Sequence, residues 1–242
     1  MEEIVMTKVV IDKEFFELFP EAQISTLTIH GIDNHVDEKD NPYFAKLLHE
    51  GSEESKKFIT NDVFRENDVI AQWRQAFRQF KTKKGARCSI EALLKRVSQG
   101  HEFSPINPLV DIYNSVSLKY GVPCGGENIN AFDGDMHLGE AKGGEGFKPL
   151  GATEDSPALP GEIIYYDNSG AICRCLNWRE AQRTMLTEDT TDSVLVVEAI
   201  NEEQAKRASE AIEELKELTE KYFKVDGKIE HLTKDHPETE QL

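Results

Sequence analysis

The 242-residue sequence is short of several things, and each shortage excludes a class of protein. Basic charge is scarce: 28 lysines and arginines stand against 45 aspartates and glutamates, a net charge of −17 with histidine neutral. Nucleic acid and anionic lipid are themselves negative, so a chain of this balance does not coat DNA or a membrane through bulk charge. No apolar run approaches the ~20 residues that cross a bilayer, so no membrane partner is expected. Met1-Glu2-Glu3 is acidic and lacks the basic and apolar regions of a secretory leader. The four cysteines, Cys88, Cys124, Cys173 and Cys175, form one C-x-C and two singles. That is neither a zinc pattern nor a disulfide framework, and it suits reduced, partly buried thiols in a cytoplasmic protein. Hydrophobic residues at 38% and aromatics at 8% suffice for a core, which excludes a disordered chain.

Common catalytic signatures are missing as well. The chain has no G-x-x-x-x-G-K-[ST], no H-E-x-x-H and no G-x-S-x-G. No two of the seven histidines stand three or four apart; His30 with His35, and His231 with His236 in a polar tail, are five apart, so neither a metal nor a cofactor is expected. A Ser-His-Asp or Cys-His device stays open, with no spacing that favours one.

Charge is unevenly distributed. Between residues 71 and 100 eight basic residues (Arg74, Arg78, Lys81, Lys83, Lys84, Arg87, Lys95 and Arg96) face the single acid Glu91, so this stretch carries +7 and the remainder −24. Ile4-Val5 with Val9–Ile11, and Ile24–Ile29, read as strands, with a short helix between them stopped by Pro20. A helix is expected from about Asn41. Ile70, Trp73, Phe77 and Phe80 recur at helical spacing, and a second helix follows with Ser89 as its cap, Ile90, Leu93, Leu94 and Val97 inward, and Gly100 as its end. Pro108 to Tyr120 reads as a helix with proline in its first turn. Residues 124–161 are glycine- and proline-rich turns and short strands. Ile163–Tyr166 and Ala171–Leu176 form a hairpin around Asp167-Asn168-Ser169-Gly170. Ser193–Ile200 is a central strand, and Asn201 caps a long helix to about Phe223. The pattern is α+β: helices cluster early and strands late, without regular alternation. One domain over residues 1–225 and a loose polar tail over 226–242 are expected.

Ser104-Pro-Ile-Asn-Pro-Leu-Val-Asp-Ile-Tyr-Asn-Ser-Val-Ser-Leu-Lys-Tyr-Gly-Val-Pro123 resembles a segment of the phenylalanyl-tRNA synthetase beta chain that reads Ile-Asn-Asn-Val-Val-Asp-x-Thr-Asn-Tyr-Val-x-x-Glu-x-Gly-x-Pro. The similarity continues in order through Asn130-Ala-Phe-Asp133, Gly139, Ala141-Lys-Gly-Gly-Glu-Gly-Phe147, Leu150-Gly151, Pro160-Gly-Glu162, Thr190-Thr191 and Val194-Leu-Val-Val-Glu198, over roughly residues 70–200. The resemblance points to the B3/B4 domain, the editing module of that synthetase, expected here as a free-standing protein; free-standing relatives are also similar in Gly125-Gly126-Glu127 and Asn177-Trp178-Arg179. The resemblance implies a PheT/TilS-type layered fold of sheets with packed helices. It also implies hydrolysis of the ester that joins a wrong amino acid, chiefly tyrosine, to a tRNA 3′ end. Such an ester is already reactive, so a site that orients water and stabilises the oxyanion suffices without a strong nucleophile.

Carried over residue by residue, the resemblance implies catalytic roles for Asn114, Glu127, Asn130 and Glu180. Asn114 is the asparagine of the Asp-x-Thr-Asn pattern, with Tyr113 in place of the threonine. Asn130 stands where the synthetase has a histidine before Ala-Phe-Asp, after an apparent insertion, so Glu127 is the candidate replacement base. Glu180 is the nearest match to a pocket glutamate. Asp111, Gly125, Gly126, Asn177, Trp178 and Arg179 are candidates for holding substrate, and Arg74, Arg78, Lys83 and Lys84 for gripping tRNA. Each has a plainer alternative. Asp111 and Asn114 can cross-link helix ends. Glu127 and Glu162 can be surface carboxylates. Trp178 can be core, and the basic stretch can be a solvated helix face. The expected partner is an aminoacyl-tRNA 3′ end or a small amino-acid-like ligand. Hydrolase, small-carboxylate binder and tRNA-binding module remain separate readings.

Overall fold

The computed structural model describes residues 7–242; Ile4-Val5, expected in the first strand, lies outside them. In chain order the elements are β1 (Val9–Ile11), α1 (Lys13–Leu18), β2 (Gln23–Ile29), α2 (Asn41–Ser55), α3 (Asp68–Ala76), α4 (Ser89–Ser98), α5 (Pro108–Tyr120), β3 (Cys124–Asn128), β4 (Met136–Glu140), β5 (Ile163–Asp167), β6 (Gly170–Arg174), β7 (Arg179–Glu180), β8 (Ser193–Ala199), α6 (Glu202–Phe223) and β9 (Gly227–Leu232). They form an α+β fold of two sheets packed with helices, ordered β1-β4-β5-β6-β7 and β3-β8-β2-β9. The β1–β4 pair is parallel and the other neighbours are antiparallel.

The two-residue period of β8 divides the interior. Leu195, Val197 and Ala199 pack with α5 and α6 on one face. Val194 and Val196 face the other way, into a second core built from Met136, Tyr165 and Ile172 of the opposing sheet with Trp73 of α3 and Ile90 and Leu94 of α4. Glu198 continues the Val194–Val196 alternation, so the inter-sheet space receives a carboxylate at its end. β3 pairs with β8 in register, Glu127 opposite Val194 and Gly125 opposite Val196, which turns both residues toward the same space.

Two helix termini follow the sequence. Asn107 accepts from the Val110 amide at 3.1 Å, and α5 ends at Gly121 with φ +62°. Asn201 accepts from the Gln204 amide at 2.9 Å at the head of α6. α4 departs from expectation: the residue before its first turn is Cys88, and the Ser89 amide is taken by Asn177 Oδ1 at 2.8 Å. A partner 88 residues away in sequence is invisible to a local capping pattern. Helix α3 stops at Ala76, and Phe77 and Phe80 join the same core from turns.

Residues 226–242 are not a loose tail. β9 pairs along β2 from Ile24–Leu232 to Ile29–Gly227, with Leu232 buried. Beyond it, Pro237 O accepts from the Ile11 amide at 2.7 Å, and Thr239 Oγ1 from the Val9 amide at 3.0 Å. An edge strand shows one face to water, so its composition reads as polar; Lys228, Glu230 and Glu240 form ion pairs across that exposed side.

Candidate functional site

Between the two sheets, closed by α4 and α5, lies a cavity of about 550 Å³. β3 supplies Gly125, Gly126 and Glu127; β8 supplies Val196 and Glu198; and the turn after β6 supplies Asn177 and Trp178, followed by Arg179 and Glu180 of β7. Tyr113 and Asn114 of α5 and Ala92 and Leu93 of α4 complete an apolar and aromatic wall, with the exposed Leu150 also at its lining. The two glycines do different things. A Cβ on Gly125 would meet nothing within 4 Å, so its missing side chain leaves open space. A Cβ on Gly126 would lie 2.4 Å from Leu195 Cδ2, so that position is closed by packing.

Three carboxylates share this space. Glu127 is 5% exposed; Oε1 accepts the Cys173 thiol at 3.4 Å, and Oε2 has no partner among the described residues. Burial, and then the Glu180 charge, hold its carboxyl well above the ordinary range. Burial raises Glu180 to about 7. Burial also raises Glu198 to about 7, against the stabilising hydrogen bonds it accepts from Tyr165 Oη at 2.7 Å and from Asn177 Nδ2. Asn177 therefore ties the start of α4 to the floor of the cavity. At the wall, the Arg179 guanidinium sits 5.0 Å from the Trp178 ring centroid, in cation–π range. The arrangement offers carboxylates that exchange protons near neutrality, amide donors and one cation around an apolar space.

The fold brings together Asn114, Gly125, Gly126, Glu127, Asn177, Trp178, Arg179 and Glu180. It does not bring Asp111 there. That carboxylate accepts the Ile106 amide at 2.9 and 3.0 Å, fixing the entry to α5, and burial raises it to about 6. Asn130 is also elsewhere, on the short turn after β3 and exposed, where Nδ2 donates to Asp192 Oδ2 at 2.8 Å and Thr191 Oγ1 at 3.1 Å. Glu162 is no surface carboxylate: it is fully buried and binds Arg174 through Nε at 2.8 Å and Nη2 at 2.5 Å. Of the basic residues, Arg74 pairs with Glu91 at 2.7 Å and Lys83 donates to Ser156 Oγ at 2.6 Å; none of Arg74, Arg78, Lys83 and Lys84 lines the cavity. Glu198, Tyr165 and Cys173 also line the cavity, and no local motif marks them as candidates. The alternation through Val194 and Val196 was the available signal for Glu198, but which face of β8 meets the cavity depends on the other sheet.

A family model described as the B3/4 domain matches residues 72–230. The chain belongs to the B3/4 domain family. The B3/4 match runs from α3 into β9 and contains every residue of the cavity wall named above. Among solved structures, this B3/4 chain is similar to an N-terminal fragment of the phenylalanyl-tRNA synthetase beta-subunit from Pyrococcus horikoshii, at 12% identity and a TM-score of 0.44. That match covers 91% of this chain and 50% of the fragment, so the chain spans half the fragment's length. No curated protein matches the chain in sequence. Among the described residues no helix is long and apolar enough to cross a membrane.

Proposed function

We propose that the cavity binds the aminoacyl end of a mischarged tRNA, or a related aminoacyl ester, and hydrolyses the ester. The observation that carries this reading is the buried Glu127 carboxylate, one oxygen unpartnered, beside the open space left by Gly125. Tyr113, Leu93, Trp178 and Val196 would hold the amino-acid side chain, and the carboxylates would face its ammonium group. An acid that titrates near neutrality is suited to take a proton from water at working pH, which fits Glu180; Glu127, raised by burial and by the Glu180 charge, would be its proton-donating partner. Asn114 Nδ2 would donate to the developing oxyanion, and the activated ester needs no stronger nucleophile.

The test is a deacylation panel of purified protein with Tyr-tRNA(Phe) and other mischarged tRNAs. A shortened ester half-life for at least one substrate is expected. Unchanged half-lives across the panel reject the reading. Within it, Glu127→Ala slows hydrolysis by about 10²-fold or more, the usual scale of a lost acid–base group. Glu145→Ala leaves the rate unchanged, since Glu145 only accepts the Lys142 and Gly143 amides in an exposed turn. Equal rates for the two variants remove Glu127 from the mechanism.

A second reading, retention of a free amino acid without chemistry, is favoured by one observation. No histidine lines the cavity among the described residues, while the Arg179 guanidinium at its wall offers one cation to a ligand carboxylate. A thermal shift with a specific amino acid, without any deacylation, would select it.

A further inference from the structure

One face of α4 borders the cavity through Ser89, Ala92 and Leu93; Glu91 and Lys95, on nearly the opposite face at 100° per residue, border a separate groove of about 390 Å³. Arg65, Arg74 and Arg87 bring three further cations to that groove, with Phe64 at its side. Glu91 is the one acid among them and is engaged by Arg74, whose Nη2 and Nε donate to it at 2.7 and 3.1 Å. Arg65, Arg87 and Lys95 are exposed and form no ion pair among the described residues. Lys95 Nζ lies 4.7 Å from the Phe64 ring centroid, so cation and aromatic are already paired there. A chain of net charge −17 thus holds three uncompensated cations and an aromatic ring in one concavity.

We propose that this groove binds the phosphates of single-stranded RNA, the strand whose aminoacyl end enters the cavity across α4, an inference that rests on the function proposed above. Cationic grooves with interleaved aromatics are the usual grip on single strands, because phosphates meet the cations while any base can stack. One helix width, about 10 Å, separates groove from cavity, a distance that a few nucleotides span. A flat anionic membrane would press against the acidic remainder of the surface; a strand entering the groove does not. Arg78, Lys83 and Lys84 lie outside the groove, so the grip is moved from them to Arg65, Arg87 and Lys95, with Arg74 held beside it.

The test measures binding of a fluorescent single-stranded CCA-ended RNA to the full chain by anisotropy across a salt series. Three phosphate contacts give a slope of log K against log salt near −2, about −0.7 per contact. The triple variant Arg65→Glu, Arg87→Glu, Lys95→Glu loses binding at least tenfold, and the milder triple glutamine variant loses less and flattens the slope. Lys13→Glu with Lys234→Glu, exposed and outside the groove, changes neither. No salt-dependent complex with the native chain, or equal affinity in native and groove-reversed chains, overturns the proposal. So does binding to phosphatidylserine vesicles without binding to RNA. In parallel, the groove variants lose deacylation of charged tRNA but keep hydrolysis of a small aminoacyl ester. A native chain that hydrolyses neither, yet loses RNA on groove reversal, rejects the editing reading and leaves the groove standing.

Discussion

Gly125 and Gly126 are neighbours with opposite reasons for lacking a side chain. β3 alternates, so Gly125 faces the cavity and Gly126 faces Leu195 and Leu186. Gly125→Leu is expected to fill the cavity: the protein folds with an unchanged melting temperature while ligand or ester turnover is lost. Gly126→Ala places its Cβ against Leu195 and costs roughly 1–3 kcal/mol by overpacking, measured as a lower melting temperature with activity retained in the folded fraction. Reversed outcomes would mean that β3 is in the other register. The doublet was legible in the sequence as part of a candidate site, and both glycines line the cavity; the division of labour was not legible, since it depends on which face β8 covers. Glu162 teaches the same lesson. On a Pro-Gly-Glu turn it reads as a solvated acid, and only the fold reveals that Arg174, a hairpin away, is buried against it.

At the scale of elements, local signals succeeded where a residue and its partner are close in sequence. The cap Asn201, the proline in the first turn of α5 and its end at Tyr120, and the β5–β6 hairpin all have their physics within a few residues. They failed where the partner is distant. The α4 amide bound by Asn177 and the β9 strand on β2 are both set by partners 88 or more residues away in sequence. β9 gives this difference a measurable consequence. A chain ending at Val225 loses the buried Leu232, worth about 1.5–3 kcal/mol, and bares the edge of β2. Its melting temperature is expected to fall by roughly 5–10 °C, with a tendency to associate through the exposed edge. A truncated protein that melts like the full chain would show that β9 contributes nothing to stability.

The whole molecule carries −17, and its acids do not all act alike. Most face water; Glu127, Glu180 and Glu198 are gathered in one cavity, where burial favours the protonated form. An unfolded glutamate titrates near ~4.3, while Glu180 and Glu198 titrate at about 7 in the fold. Between those values the native state binds protons that the unfolded state has released, so stability falls as pH rises. The loss begins near pH 5 and is complete once pH passes about 7. Asp192 acts with the opposite sign but in another window. Although burial works against it, hydrogen bonds from Thr191, Asn130 and His30 hold it at about 2, so its contribution disappears only in acid. General repulsion among the surface acids also grows with pH, and a substitution separates the two causes. Glu180→Gln removes one buried titration and only one charge of many. Its melting temperature should fall less between pH 5 and pH 8 than that of the native chain, with the two proteins converging at pH 5 and diverging at pH 8. Parallel curves would assign the pH dependence to the surface and leave Glu180 without a native-state proton to exchange, and so without the property that suits it to activate water.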